Sequence, residues 1–284
     1  MKVSVTNPYF LTTTHTRFPP VDGLDVRVSG ASGEWHSLDF DRASGLYVSR
    51  QKPVAGETVG IRIRRGEELV CCADEVPRKV EIENVAVSQE GPMHIYWDDD
   101  YRFNYRITFT DTPGEENYYY LHIVEDREAL YQDGNVIFSW LGQIDYSYDY
   151  VFQVLADMVN SDMQGWNASQ VAYGYPFSDK GIDGQQYTLS VSEIQQHPWT
   201  GLIKKLPRII RLYSVSKAYF EYMVNVLRMD YYEDALRGDL LSLGLVEPDK
   251  VYSNIEGGTG LMGSYNLNVW KIDILEQTGG WHSN

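Results

Sequence analysis

The feature that most constrains this chain is a tight turn followed by an aromatic strand. This pattern recurs farther along the chain. Residues 111–123 read DTPGEENYYYLHI, so a Pro-Gly turn with acidic neighbours leads into three tyrosines. Turn residues followed by aromatic and β-branched residues predict the start of a strand. Residues 179–191 (DKGIDGQQYTLSV) repeat the pattern, and the glycine-rich residues 253–265 (SNIEGGTGLMGSY) precede a final strand. We therefore expect these three segments to frame a β-rich unit.

The first part of the chain carries a different strand pattern, with short alternating segments separated by turn residues. The predicted strands lie at 2–6, 24–29, 35–40, 45–49, 58–64, 69–73 and 78–83. Several short strands with regularly spaced turns and no helical periodicity are typical of a two-sheet sandwich. We predict an immunoglobulin-like or transthyretin-like β-sandwich over residues 1–84.

The pattern changes around residues 85–92, and we place a domain boundary there. Residues 85–284 are predicted to form an antiparallel β-sandwich or barrel-like domain with two or three inserted helices. Antiparallel pairing is expected because short turns join the strands, whereas parallel strands need long crossovers. The fold class is therefore mainly β.

The helices and one aromatic segment are predicted from spacing. Tyr146, Tyr148 and Tyr150 alternate as on one face of an extended strand, where core packing is a better explanation than a ligand platform. An apolar stripe then begins at residue 151, with Asp149 as its N-cap. The clearest helix follows Ser214 or Ser216, and a further helical piece is predicted from Asp230.

Charge and hydropathy exclude several classes of partner. The formal net charge is −16, so phosphate backbones and anionic membrane surfaces are repelled, and nucleic acid is not an expected partner. An acidic, solvated surface explains this charge more simply than a cation-collecting role. No apolar run approaches the roughly 20 residues of a membrane span. The first residues, MKVSVTNPYF, contain no signal-peptide pattern.

The familiar catalytic patterns do not occur in the sequence. There is no GxSxG or HExxH motif, the only cysteines are Cys71 and Cys72, and the glycine loop at 257–260 lacks a phosphate-binding continuation. We therefore expect a non-enzymatic protein without catalytic residues or cofactors. A hydrolase with paired carboxylates stays open as an alternative, because the separation of two carboxyl groups exists only in three dimensions.

The sequence contains candidate residues for two kinds of binding site, a metal site and a sugar site. Carboxylates suit hard cations such as calcium, and the densest acidic run is Asp98, Asp99 and Asp100, although acids also crowd turns because they are solvated there. Sugar-binding proteins use exposed aromatic faces, and Trp166, Tyr173 and Trp199 fall in predicted loops, where binding residues concentrate. A freestanding carbohydrate-binding module is therefore an alternative function.

Four stretches together resemble a Bacteroidota family known as domain of unknown function 4249. They are TDTPGEENYYYL (110–121), FSDKGIDGQQYTLSV (177–191), LYSVSKAYFEYM (212–223) and VYSNIEGGTGLMGSY (251–265). The motif residues without a known role are Asn117, Tyr118, Asp179, Gly184, Ser253, Asn254, Gly257 and Gly258.

The resemblance implies an outer-membrane lipoprotein, facing the cell surface or the periplasm, that helps to capture nutrients. Members of the family are often encoded beside TonB-dependent receptors, so such a receptor is the expected protein partner. A glycan or another small nutrient is the expected ligand. The signal and the lipidated cysteine that the resemblance implies do not occur in the sequence at hand.

Overall fold

The structure is a computed structural model that describes residues 2–3, 21–50, 52–93, 100–126, 143–159, 174–195, 207–232 and 252–274. Across these residues the fold is mainly β, with antiparallel sheets and two helices. The predicted fold class is confirmed.

The N-terminal unit is a sandwich of two antiparallel sheets. Its strands are β1 (Lys2–Val3), β2 (Asp25–Ser29), β3 (Trp35–Ser37), β4 (Asp39–Asp41), β5 (Leu46–Val48), β6 (Thr58–Arg65) and β7 (Glu68–Glu75). One sheet has the order β3-β2-β6-β7 and the other has the order β1-β5-β4. Val26 and Val28 on β2 and Ile61 on β6 point into the core. Arg27, between the two valines, and Arg62, next to Ile61, point outward. The alternation in the sequence thus determines which face of the sheet is buried.

The predicted strand at residues 35–40 is wrong as a single element. It is divided at Leu38, so that β3 joins one sheet and β4 joins the other. The backbone amide of Leu38 donates a hydrogen bond to the carbonyl of Val26 at 2.8 Å, and its side chain is buried in the core. The chain therefore crosses from one sheet to the other at the residue that fills the space between them.

The C-terminal unit consists of two further antiparallel sheets and two helices. Its elements are β8 (Ile82–Met93), β9 (Asp100–Thr110), β10 (Tyr118–Glu125), β11 (Gln143–Asp145), α1 (Tyr150–Val159), β12 (Tyr175–Ser178), β13 (Gln186–Gln195), β14 (Arg208–Val215), α2 (Lys217–Tyr232) and β15 (Tyr265–Ile272). The sheet orders are β11-β13-β9-β8 and β12-β10-β14-β15. In the described residues these sheets stay open and share one core, so the arrangement is a sandwich.

A short connection joins the two units. Val76 belongs to the N-terminal core, whereas Val80 and Ile82 belong to the C-terminal core. The strand β8 then runs without a break through residues 85–92, the segment at which the sequence predicts the boundary. The exact division at 84/85 stays a prediction.

Aromatic rings fill the C-terminal core. Phe109 and Tyr119, from opposite sheets, have ring centroids 5.3 Å apart, and Phe177 lies 5.2 Å from Tyr119. Phe152 of α1 packs edge-on against Phe177 at 5.2 Å, so the helix is anchored in the core of the sandwich. Edge-to-face ring pairs of this kind add roughly 0.5–1.5 kcal/mol beyond the area they bury.

The predicted extended stripe of Tyr146, Tyr148 and Tyr150 is wrong. Tyr146 is buried in the core, but Tyr148 is 61% exposed in a turn and Tyr150 begins α1 with 55% exposure. Asp149 ends the extended backbone because its carboxylate accepts a hydrogen bond from the amide of Val151 at 3.2 Å. This helix cap, which the sequence also predicts, takes precedence over the alternating aromatic pattern.

Ser216 caps the second helix. Its hydroxyl accepts a hydrogen bond from the amide of Tyr219 at 3.3 Å, as predicted. Phe220 and Val224 turn toward the core. The helix continues to Tyr232, so the prediction of a separate helical piece beginning at Asp230 is wrong. Asp230 lies within this continuous helix and so does not begin a new one, and the rest of the predicted piece lies outside the described residues.

A buried ionic network joins the two C-terminal sheets. Arg208 on β14 has no exposed side-chain surface and donates to both oxygens of Glu193 on β13, at 2.8 and 3.1 Å. Its third contact is with Glu125 on β10 at 3.2 Å. The hydroxyl of Tyr105 on β9 donates to Glu193 at 2.6 Å, and burial beside this carboxylate raises the pKa of Tyr105. One guanidinium thus connects four strands in two sheets.

Loss of this guanidinium should destabilise the fold strongly. Replacing Arg208 by Met leaves two carboxylates buried without their cation, and we expect the free energy of unfolding to fall by about 3–5 kcal/mol. The control is Arg211→Met on the same strand, whose side chain points to the other face of the sheet. Chemical denaturation measures both variants. Equal losses for the two substitutions would contradict a structural role for the network.

Candidate functional site

The sequence-predicted binding residues fall into two groups. Trp166, Tyr173 and Trp199 lie outside the described residues, as do Asp98 and Asp99. Asp100 is described and is fully buried at the start of β9, where it has interaction partners of its own.

Two of the family-like stretches meet at a feature that we call the double turn, residues 111–117 and 179–184. It brings together three carboxylates, from Asp111, Asp179 and Asp183, with one oxygen of each within 4.8 Å of the others. Asp179 and Asp183 come from the predicted acidic turn, and Asp111 comes from the turn before the tyrosine run. The sequence does not predict that these turns contact one another.

Backbone donors occupy these carboxylates. Asp179 accepts from the amide of Asn117 at 2.8 Å, and Asp183 accepts from the amide of Gly114 at 2.8 Å. Asp111 accepts from the amide of Gly184 at 2.8 Å and from a buried tyrosine hydroxyl. Each acid of one turn therefore holds the backbone of the other. The cluster is a structural connection between two turns, and it carries no metal assignment.

Burial and like charge act on the same cluster. Burial raises the pKa of Asp179, the hydrogen bond from Asn117 opposes this rise, and the neighbouring carboxylates of Asp111 and Asp183 add to it. Gly184 has φ +66°, and a Cβ there would lie 2.7 Å from the Cβ of Pro113. The two turns are thus as close as a glycine allows.

Tyr118 and Asn117 extend the double turn toward α2. The side-chain amide of Asn117 donates to the carbonyl of Thr112 at 2.7 Å, which closes the first turn. The ring of Tyr118 packs against Phe220 of α2 with centroids 4.7 Å apart. Its hydroxyl donates to Glu116 at 2.8 Å, and burial together with this contact raises the pKa of Tyr118 to about 12.

The glycine loop, residues 252–264, docks on the N-terminal sandwich. Cys71 of β7 and Glu256 exchange two backbone hydrogen bonds, at 3.0 and 2.8 Å. Met262 is buried in the N-terminal core, where its sulfur contacts that of Cys72 at 3.4 Å. Gly257 has φ +75°, and a Cβ there would lie 2.4 Å from the carbonyl oxygen of Leu69. The glycine is therefore required for this close approach.

The other motif residues of this loop hold its internal shape. Ser253 accepts hydrogen bonds from the amides of Ile255 and Gly260, at 3.3 and 3.1 Å. Asn254 donates to the carbonyl of Met262 at 2.8 Å and accepts from its amide at 2.9 Å. Gly258 packs beside Val70, where a Cβ would be in ordinary contact.

A groove lies between the glycine loop and α2, and we call it the tyrosine groove. Its volume is 520 Å3, within the roughly 300–1,000 Å3 typical of small-molecule sites. The described lining residues are Tyr219, Tyr222, Tyr252, Thr259, Gly260, Leu261, Gly263 and Tyr265. Four tyrosines from α2, the loop and the start of β15 therefore surround one space.

Three contacts fix the walls of the tyrosine groove. The amide of Tyr252 donates to the side-chain oxygen of Asn225 on α2 at 2.9 Å. Ser216 and Ser264 pair through a backbone bond of 2.9 Å, which joins the start of α2 to the end of the loop. A Cβ on Gly263 would lie 2.9 Å from the Cβ of Tyr219, so this glycine lets loop and helix approach.

The chemistry of the tyrosine groove is that of ring faces and phenols. Burial raises the pKa of Tyr219 and the pKa of Tyr252 above the ordinary tyrosine value. A tyrosine hydroxyl can donate and accept hydrogen bonds. Tyr265 is 54% exposed, and its ring lies edge-on to Tyr213 at 5.4 Å. The arrangement suits a ligand with apolar faces that stack on rings.

The sequence patterns do not predict this groove. The predicted ligand-binding residues are two tryptophans and Tyr173 in predicted loops, whereas the groove uses tyrosines of a helix, a glycine loop and the start of β15. A usable signal was present, because Tyr219 and Tyr222 are three residues apart and so share a helix face. Their proximity to Tyr252 and Tyr265 depends on the docking of the loop, which spacing does not reveal.

Comparison with known proteins gives a family match. The model of the family described as domain of unknown function (DUF4249) matches residues 1–268 of the 284 residues. The chain belongs to this family. No curated protein and no solved structure matches it significantly. Within the part of this DUF4249 protein that the structure describes, neither helix is long and apolar enough to cross a membrane.

The four stretches that carry the family resemblance meet in pairs. Residues 110–121 and 177–191 form the double turn, and residues 212–223 and 251–265 contain the described lining of the tyrosine groove. In this DUF4249 protein the residues of these stretches are therefore used at two junctions.

Adding a side chain at Gly257 should undock the glycine loop. Gly257→Ala and Gly33→Ala both place alanine at positive φ, but a Cβ on Gly33 meets nothing within 4 Å. We expect about 1 kcal/mol of destabilisation for Gly33→Ala from backbone strain alone. Gly257→Ala should cost about 1–3 kcal/mol more because of its clash with Leu69. Denaturation of both variants measures the difference, and equal costs would contradict the docking contact.

Proposed function

We propose that this protein is a non-enzymatic, ligand-capturing accessory protein that works at the outer membrane, with the tyrosine groove as its binding site. The observation that carries the proposal is the convergence of four tyrosines on one groove of 520 Å3 between two segments joined by hydrogen bonds. Concave, ring-lined sites of this size are the usual form of small-molecule sites.

Preformed walls favour binding by the tyrosine groove. Hydrogen bonds tie Tyr252 to α2 and tie the end of the glycine loop to Ser216. A ligand that enters such a groove orders few side chains, so little of its interaction free energy is lost to entropy.

The residue types of the groove support capture rather than catalysis. Among the described lining residues there is no nucleophile beside a base and no carboxylate pair. The three carboxylates that lie close together belong to the double turn, where amide donors occupy them. A hydrolase with paired carboxylates therefore has less support in the described part of the chain than a binding protein has.

Ligand binding is tested with a panel of nutrients that includes neutral saccharides and small metabolites. A ligand that binds only the native state raises the melting temperature by mass action, equivalent to about 2.7 kcal/mol at a hundredfold excess over Kd. We expect at least one compound to stabilise the wild type and to lose this effect in Tyr252→Leu and Tyr265→Leu. Tyr148→Leu is the control, since Tyr148 is exposed outside the groove.

The outer-membrane site and the partner rest on the family resemblance, which implies lipoproteins encoded beside TonB-dependent receptors. We expect affinity purification of the natural full-length protein from its native membrane to recover a receptor of that class. Repeated recovery of no receptor, together with glycan binding by the isolated protein, would favour the freestanding carbohydrate-binding module instead. Loss of that glycan binding in Trp166→Ala or Trp199→Ala would assign it to the predicted loop residues.

A further inference from the structure

The tyrosine groove carries no charge among its described lining side chains, which are tyrosine, threonine, leucine and glycine. Its preference for charged or neutral ligands is therefore set by the groups around it. The ring faces of tyrosines carry the negative side of the aromatic quadrupole, so they attract cations and repel anions.

The nearest charges add a negative field. Glu221 lies on α2 between two lining tyrosines and one turn before Asn225, which holds the backbone of Tyr252. In the described part of the chain Glu221 makes no ion pair. Lys217, one turn earlier on the helix, is instead engaged with Glu116 at 3.2 Å. Glu221 is not among the described lining residues, so its carboxylate acts on the groove through space.

The effect on Tyr252 agrees with this placement. Burial raises the pKa of Tyr252 most, the carboxylates of Glu221 and Asp74 raise it further, and Lys217 acts in the opposite direction. Asp74 lies on β7 beneath the glycine loop and accepts a hydrogen bond from the hydroxyl of Ser264. The whole chain, at −16, adds an attraction for cations of longer range.

We propose, on the premise that the tyrosine groove is the binding site, that it takes a small organic cation with an alkylated ammonium group. The methyl or methylene groups of such a cation stack on the ring faces while its charge interacts with the rings and with Glu221. Recognition of quaternary ammonium groups by several aromatic rings is a common use of cation–π attraction.

The occupant is a free small molecule rather than a lipid headgroup. The groove volume of 520 Å3 suits a ligand of small-molecule size. A surface that contains anionic phospholipids would be repelled by a chain of net charge −16.

The test compares choline with 3,3-dimethyl-1-butanol, which has the same shape without the charge. Calorimetric titration of the complete protein should give choline a Kd about tenfold or more below that of the neutral alcohol. Glu221→Gln should weaken choline binding about threefold to tenfold and leave the neutral alcohol unchanged. This variant keeps the side-chain size, and Glu221 is only half-buried, so folding is retained.

Two tyrosine variants separate ring face from hydroxyl. Tyr252→Phe should retain choline binding because the ring face remains, whereas Tyr252→Leu should reduce it about tenfold. Tyr148→Leu, outside the groove, should leave choline binding unchanged. Circular dichroism confirms folding, and if Tyr252→Leu does not fold, Glu221→Gln and Tyr265→Leu decide the question.

The outcomes distinguish this inference from the proposed function. Equal affinity for choline and the neutral alcohol would overturn the proposal that the groove takes a cation. Choline binding that is unchanged in both Glu221→Gln and Tyr252→Leu would also overturn it. If a neutral saccharide binds the groove and choline does not, the proposed function stands and only the preference for a cation is overturned. Failure of choline and of every panel compound overturns both. Tighter binding to phosphatidylcholine vesicles than to choline overturns the free small molecule as occupant.

Discussion

The tyrosine groove exists because the glycine loop reaches across to the N-terminal sandwich, and that contact depends on a missing side chain. Gly257 brings its backbone against the carbonyl of Leu69 in a conformation with positive φ. The loop then adds a backbone bridge at Cys71 and buries Met262 in the N-terminal core. Burial of one such side chain contributes about 1.5–3 kcal/mol, comparable to a few hydrogen bonds. This docking therefore adds to the direct hydrogen bonds of Tyr252 and Ser264 with α2 and its cap in holding the loop as a wall of the groove.

The other wall depends on the C-terminal sandwich. β14 begins at Arg208, in the buried ionic network, and ends at Val215, two residues before α2 starts at Lys217. Its length is about 25 Å, so the network and the groove lie at opposite ends of one strand. The guanidinium joins the two sheets at one end of β14. At the other end the double turn and the contact of Tyr118 with Phe220 hold the structure together. The helix that presents Tyr219 and Tyr222 is therefore fixed by contacts at both ends of the sandwich.

Strands are well predicted from the sequence because the two-residue alternation of side chains is visible within a few neighbouring positions. The alternation at Val26 and Val28 identifies a buried face from a few neighbouring residues, and the tyrosine run after residue 117 identifies the start of a strand. The prediction at Tyr146–Tyr150 was wrong where two local signals competed and the cap at Asp149 prevailed. The groove was beyond local reasoning for a different reason. Tyr222 and Tyr252 are 30 positions apart, and a segment of the N-terminal sandwich decides where the loop lies.

The position of the groove links ligand binding to the docking of the loop. A ligand between Tyr222 and Tyr252 contacts both α2, which belongs to the C-terminal sandwich, and the loop, which is held by the N-terminal one. Its binding free energy then adds to the docking free energy, because only the docked loop offers both walls. Conversely, any change that weakens the contact at Gly257 weakens ligand binding, because the apparent Kd rises in inverse proportion to the fraction of molecules whose loop is docked. The affinity of the groove for its ligand and the stability of the junction between the sandwiches are therefore coupled.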